Sequence, residues 1–360
     1  MLKTPFFDPE KTYKQNYEDG PFGDFKNGKI FKNQGEAQYS FLDNPVFLPF
    51  GIPAGPLLNG KYVKAAMDKG FDIVTYKTVR TKPHPANAWP NVLAVNIKGD
   101  LAPELAEKGV IGTNKYLKPI AITNSFGVPS YDPSVWQPDL AAAAKYAEEG
   151  QVVIGSFQGT TNVNGSVQDY IEDFVLASRM VKETKVKILE VNLSCPNEGS
   201  VELLCFDPER TREIVEAIKN EIGNTPLIIK IAYIEDDEKL KKLVKLVGKT
   251  IDAVAAINTI PAKVYGKNGN QALPGGANRL LSGICGSPIK WAGIDSVKRL
   301  KRYRGELGHK FAIIGVGGVT EEKDYIDYVD AGADAVMSAT GAMWNPYLAQ
   351  EIKNEVLMLF

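Results

Sequence analysis

Residues 311–340 read FAIIGVGGVT EEKDYIDYVD AGADAVMSAT, and this stretch decides the fold. Phe311–Gly317 is an apolar, β-branched run too short for a helix, which marks a strand buried on both faces. The Gly317-Gly318 pair breaks it, Thr320 stands as a helix cap, and Glu321–Ala331 has helical spacing. Gly332 closes the helix, and a second buried strand follows over Ala335–Thr340. Two strands joined by a crossover helix lie parallel, so the unit is β-α-β.

The same rhythm runs outward from this unit to Asn44. Strand-like runs occur at Val46–Ala54, Ile73–Val79, Pro119–Ser125, Val152–Phe157, Ile188–Ser194, Leu227–Ala232 and Ala253–Thr259. Helix-like segments alternate with them at Tyr62–Lys69, Asp139–Glu149, Val167–Glu183, Pro208–Glu221, Asp237–Gly248 and Ile289–Tyr303. Nine strands are one more than a closed α/β barrel needs. The stretch from Arg80 to Asp139 is rich in Pro and Asn and has no long helix, so Pro119–Ser125 is assigned to an insertion. The expected fold is therefore a (β/α)8 TIM barrel over residues 45–360, with residues 80–139 inserted above its mouth. Residues 1–44 lack a period and read as an irregular N-terminal arm containing a short hairpin. A doubly wound open sheet is the alternative, but its first strand–turn–helix would carry G-x-G-x-x-G, which is missing.

Composition narrows the function. The chain has 360 residues, 44% hydrophobic and 24% charged, with a formal net charge of -1. No general attraction to nucleic acid or to an anionic membrane follows from that balance. Three cysteines, with no C-x-x-C, point to a reducing compartment rather than to a disulfide framework. The first twenty residues do not read as a leader, and no apolar run has the length of a membrane span. A soluble, cytoplasmic protein is expected.

A barrel of this kind works at the C-terminal ends of its strands. Those ends carry Ala54-Gly55, Lys77-Thr78, Asn124 to Gly127, Ser156, Asn192 to Asn197, Lys230, Asn258-Thr259, Gly317-Gly318 and Thr340-Gly341. Carboxylates are scarce there, which disfavours a metal site or a glycosidase pair. Gly317, Gly318 and Thr340, at the last two strands, suit a phosphate. Lys77 and Lys230 follow buried strands and call for an anion nearby, unless their ammonium groups reach solvent. The amides of Asn124, Asn192, Asn197 and Asn258 match a heterocycle with alternating N–H and C=O edges, although each alone also suits a turn. Cys195, in a polar loop, is either a base or a small buried hydrophobe. Cys205 and Cys285 read as structural. With only His84 and His309, neither at a strand end, a Ser/His/Asp triad has no place.

Asn192-Leu193-Ser194-Cys195-Pro196-Asn197 resembles the active-site loop of class 1 dihydroorotate dehydrogenases, and Asn124-Ser125-Phe126-Gly127-Val128-Pro129 resembles that family's orotate-binding loop. Pro53-Ala54-Gly55, Tyr76-Lys77-Thr78, Ile257-Asn258-Thr259, Gly315 to Val319 and Gly332 to Val336 follow in family order. The resemblance implies an FMN enzyme that oxidises dihydroorotate to orotate in pyrimidine biosynthesis. Cys195 would take the C5 proton and FMN the C6 hydride. Substrate contacts would fall on Lys77, Asn124, Ser125, Phe126, Gly127, Val128, Asn192, Asn197, Asn258 and Thr259. Cofactor contacts would fall on Ala54, Gly55, Lys77, Thr78, Ser156, Asn192, Lys230, Ile257, Gly286, Gly317, Gly318, Ala339 and Thr340. Cysteine rather than serine as base implies the soluble class, the related soluble enzymes imply a homodimer, and fumarate, a quinone, or NAD reached through a separate electron-transfer subunit are all compatible as oxidant.

Three stretches depart from the family pattern. The N-P-x-P-R segment is replaced by Thr81 to Pro90, the glycine-rich stretch is altered over Pro274 to Gly286, and Ala339 stands for a glycine. Two rival readings share the barrel: a dihydropyrimidine dehydrogenase-like flavoenzyme acting on uracil or thymine, and a flavin-free phosphosugar lyase or isomerase. A catalytically silent scaffold is the third.

Overall fold

The structure is a computed structural model that describes residues 2–160, 166–194 and 203–359. Eight parallel strands close into one barrel: β1 Phe50–Ile52, β2 Ile73–Val79, β3 Val152–Phe157, β4 Ile188–Asn192, β5 Leu227–Ile231, β6 Ala253–Ala256, β7 Ala312–Val316 and β8 Ala335–Met337. Val336 of β8 pairs with Phe50 of β1, which seals the ring and rules out the open-sheet alternative.

The strand period of two divides their side chains between two cores. Ile73, Ile154, Ile188, Ile228, Ala255, Ile314 and Met337 cluster inside the barrel. Their sequence neighbours Val74, Val153, Leu189, Ile229, Val254, Ile313 and Val336 pack outward with the helices in a second cluster. The arm supplies the floor of the barrel. Tyr39–Phe41 and Asn44–Val46 form an antiparallel hairpin, and its Phe41 and Val46 join the interior cluster. Leu42 and Asp43 turn it at φ 45° and 62°, as a tight two-residue hairpin requires.

Several boundaries differ from those read in the sequence. The run Val46–Ala54 is two elements, because Val46 belongs to the hairpin and only Phe50–Ile52 is barrel wall. The helix read from Asp139 begins at Pro133, where Asp132 accepts a hydrogen bond from Ser134 N and proline occupies the first turn. Thr320 is not the cap of the helix Glu322–Ala331; Glu321 is, with the Asp324 carboxylate accepting from the Thr320 and Glu321 amides. No helix among the described residues is long and apolar enough to cross a membrane.

Above the mouth, five short strands form a second small closed sheet: Val92–Val95, Val110–Thr113, Ala121–Asn124, Ile260–Tyr265 and Leu281–Gly286. Three come from the insertion after β2. The other two come from the excursion between β6 and β7, which the sequence reading left without structure. Ile260–Tyr265 is only half buried and contains Pro261, so it carries no continuous apolar run to announce it.

Candidate active site

The C-terminal ends of the barrel strands and the underside of the small sheet enclose a cavity of about 1230 Å³, counting the part open to solvent. Each barrel strand except β3 places a predicted residue on its wall. Ala54 and Gly55 follow β1, Lys77 and Thr78 lie on β2, Asn192 ends β4, and Lys230 is on β5. Ile257, Asn258 and Thr259 follow β6, Gly317 and Gly318 follow β7, and Ala339 and Thr340 follow β8. Asn124, Phe126, Gly127, Val128 and Gly286 descend from the small sheet and its loop.

Two predicted residues sit behind that wall. Ser156, on β3, donates to Glu190 Oε1 at 3.0 Å and meets Thr78 Oγ1 at 3.0 Å. Ser125 is fully buried. Cys195 and Asn197 lie outside the described residues, but the residues flanking residues 195–202 are tied to the mouth. Leu193 N donates to Lys230 O and Cys205 N to Leu193 O. The Asn258 amide donates to Ser194 O, and Asn192 donates to Gln158 Oε1 while accepting from Ser194 N.

Lys230 is 4% exposed and has no hydrogen-bond or ion-pair partner among the described residues. Burial depresses its pKa, opposed by the charge of Glu190. Glu190 of β4, which pairs with Ile228 two residues before Lys230 on β5, is raised by burial, opposed by Lys230 and by the Ser156 hydroxyl. Its Oε2 finds no partner among the described residues. A lysine buried at a cavity wall with no hydrogen-bond acceptor among the described residues marks the seat of an electron-rich group. Nearby, Gly317 at φ 124° and Gly318 at φ 72° hold backbone that side chains rarely adopt, and a Cβ on Gly318 would lie 2.5 Å from Lys290 Cβ. These residues fit a bound phosphorylated aromatic cofactor.

The loop after Asn124 is gripped from behind. Ser125 O accepts from Asn91 Nδ2 and Arg279 Nη2, both at 3.1 Å. Phe126 O accepts from Asn87 N at 2.9 Å, and Val128 O from Arg80 Nε at 3.0 Å. The N–H groups of Phe126, Gly127 and Val128 donate to no acceptor among the described residues. A trans peptide points its N–H opposite to its C=O, so this loop turns donors away from the layer that holds its carbonyls.

Among the contributors that the sequence reading missed, four carry chemistry or hold the loop. Arg80 and Arg279, both buried, hold the loop. Cys285, read as structural, lines the cavity and accepts from Asn124 Nδ2 at 3.2 Å; burial pushes its thiol pKa up. Phe7 of the arm reaches the same wall and meets Phe126 edge to face at 5.4 Å. Arg80 directly follows β2 but reads in the sequence as the start of the insertion, and the other three end no barrel strand.

The family model described as dihydroorotate dehydrogenase matches residues 37–360. A dihydroorotate dehydrogenase of Dictyostelium discoideum is 36% identical over 371 aligned residues, covering 98% of each chain. The catalytic subunit of dihydroorotate dehydrogenase B (NAD(+)) from Staphylococcus carnosus is 31% identical over 199 residues, 54% of this chain and 60% of that one. Among solved structures, that of the Eimeria tenella enzyme DHODH in complex with ferulenol superposes with a TM-score of 0.71 at 20% identity, covering 92% of this chain and 86% of that one, a likeness of fold. Agreement in sequence over nearly the whole length, on the barrel just described, makes this chain a member of the dihydroorotate dehydrogenase family of oxidoreductases.

Proposed function

We propose that this chain is an FMN-dependent enzyme of the class 1 kind that oxidises dihydroorotate to orotate, with Cys195 as the base. The observation that carries the reading is one cavity lined both by a buried lysine whose ammonium makes no hydrogen bond among the described residues and by three successive backbone N–H groups that donate to no acceptor among them. The first suits an electron-rich ring and the second suits a carboxylate.

Gly317, Gly318, Ala339 and Thr340 would hold the FMN phosphate, using close backbone approach and a hydroxyl. Ala54, Gly55, Thr78, Asn192, Lys230, Ile257 and Gly286 would border its ring, with Ser156 acting through Thr78. When bound, FMN supplies the atom that accepts a hydride from the substrate. The substrate carboxylate would sit on the N–H groups of Phe126, Gly127 and Val128 with Lys77 beside it. Asn124, Asn192, Asn197, Asn258 and the Thr259 hydroxyl would read the amide edges of the ring, and Ser125 would hold the loop. Cys195, as thiolate, takes the C5 proton onto its sulfur.

The visible spectrum of the purified protein tests this first: a flavin band should bleach on addition of dihydroorotate. Cys195→Ser should keep the band and slow the bleaching at pH 7 by about 10²- to 10⁴-fold, because a hydroxyl is the poorer base. A protein that refuses FMN would overturn the cofactor assignment. Turnover of dihydrouracil without turnover of dihydroorotate would overturn the substrate, and unchanged bleaching in Cys195→Ser would remove the thiol from its role.

A further inference from the structure

We propose that Arg279 is a positioning residue that makes this cavity select a carboxylate-bearing ring over its neutral analogue, by holding and polarising the Ser125–Phe126 peptide. The inference rests on the reading of the Phe126–Val128 N–H groups as the carboxylate seat and says where that seat draws its charge.

Arg279 lies in the short turn Ala277–Leu280 of the excursion between β6 and β7, far in sequence from the loop it holds. It is 7% exposed. Its five N–H groups meet five acceptors: Ser125 Oγ at 3.4 Å, Ala88 O at 2.9 Å, Ser125 O at 3.1 Å, Pro90 O at 3.5 Å, and Pro274 O. All are neutral, and no carboxylate among the described residues pairs with it. Burial is the sole cause acting on its pKa, which it lowers; no neighbouring charge opposes.

A buried cation normally has an anion beside it, because taking an unpaired charge out of water is costly. Here the hydrogen bonds are complete but the charge is uncompensated. Its field is weakly screened at this depth and extends into the cavity. The path is short. Arg279 holds the carbonyl of Ser125, the N–H at the other end of that same amide is Phe126's, and Phe126 lines the cavity. A cation on an amide oxygen draws electron density from the nitrogen and makes its N–H a stronger donor. The missing anion is then the ligand's carboxylate, one peptide away. With every N–H of its own in use, Arg279 does not touch that ligand and acts only through the loop.

The test is equilibrium binding to the FMN-loaded protein, followed by the flavin spectrum, with orotate and its neutral carboxamide as probes. Arg279→Met should weaken orotate by about 30-fold or more and the carboxamide by less than about threefold, since only the charged ligand draws on the cation. Arg279→Lys, which keeps the charge without the fork, should keep most of the preference for orotate, and it serves as the measured variant should Arg279→Met not retain flavin. Equal losses for both ligands, no loss for either, or an Arg279→Lys variant with no preference for the anion would overturn the proposal. A wild-type protein that fails to prefer orotate would instead overturn the parent reading of the loop.

Discussion

Gly318 shows how one missing side chain can set a cavity wall. Its φ of 72° is open to glycine and strained for other residues, and a Cβ there would meet Lys290 Cβ at 2.5 Å and Lys290 Cα at 2.7 Å. The second contact is backbone and cannot swing away. Gly318→Ala should therefore cost about 1–3 kcal/mol in urea unfolding, from strain alone, and should lower the flavin retained on purification. An unchanged midpoint with full flavin content would show that this turn tolerates a side chain. At this scale the sequence was informative only where a residue type is conspicuous in its place. A Gly-Gly pair after an apolar strand, or a lysine at the end of one, stands out. Arg279 and Cys285 do not: one lies in a turn and the other on a strand of the mouth sheet, and only the chain's path brings them to the cavity.

Between elements, a single carboxylate ties a helix to the wall. Asp139, in the helix Pro133–Tyr146, accepts from the Tyr76 hydroxyl of β2 at 2.7 Å and from Gly60 N, at the start of the helix Gly60–Asp68, at 2.7 Å. Tyr76 is 1% exposed, and besides Asp139 its hydroxyl has the Tyr17 hydroxyl of the arm within hydrogen-bonding reach. Asp139→Ala should destabilise by about 1–3 kcal/mol, the cost of taking a carboxylate acceptor from the buried Tyr76 hydroxyl and the Gly60 amide. A double-mutant cycle with Tyr76→Phe measures the coupling, and strictly additive losses would show that the pair contributes nothing jointly. Strands and helices with strong periods were legible here, such as Val167–Glu183, whose observed bounds match the reading. Of the mouth strands, Ala121–Asn124 was legible within the run Pro119–Ser125, whereas Ile260–Tyr265 and Leu281–Gly286, short and interrupted by Pro or Gly, carry no continuous apolar signal.

The whole molecule is tied together at its base by Lys353, in the C-terminal helix Leu348–Leu359. Its ammonium donates to Asp72 Oδ1 at 2.7 Å, to Gly70 O at 2.8 Å and to Asn33 Oδ1 of the arm at 2.7 Å. Asp72 is fully buried and accepts from Leu48 N with its other oxygen at 2.7 Å. Burial raises its pKa from 3.8 to about 6, with Lys353 and the Leu48 amide opposing. A carboxyl raised in the folded state contributes stability below its unfolded value and loses it as pH climbs through the folded one. Lys353→Met removes the opposing charge and moves that folded value above 6. The variant should lose about 3–5 kcal/mol at pH 8 and distinctly less at pH 5, where Asp72 can take up a proton without unfolding. Denaturant midpoints at the two pH values check this, and a loss independent of pH would show that packing alone is at stake.

Hydrophobic period, strand spacing and the residues at strand ends already determined the barrel and most of its cavity wall, because those features are local and repeat along the chain. Closure of β8 onto β1, the plug formed by the hairpin, closure of the mouth strands with the two from the β6–β7 excursion, and the arginine behind the Ser125 loop belong to tertiary structure alone. Each joins residues distant in sequence. Such contacts form because closing the barrel places them within a few ångströms, and no local pattern encodes that distance.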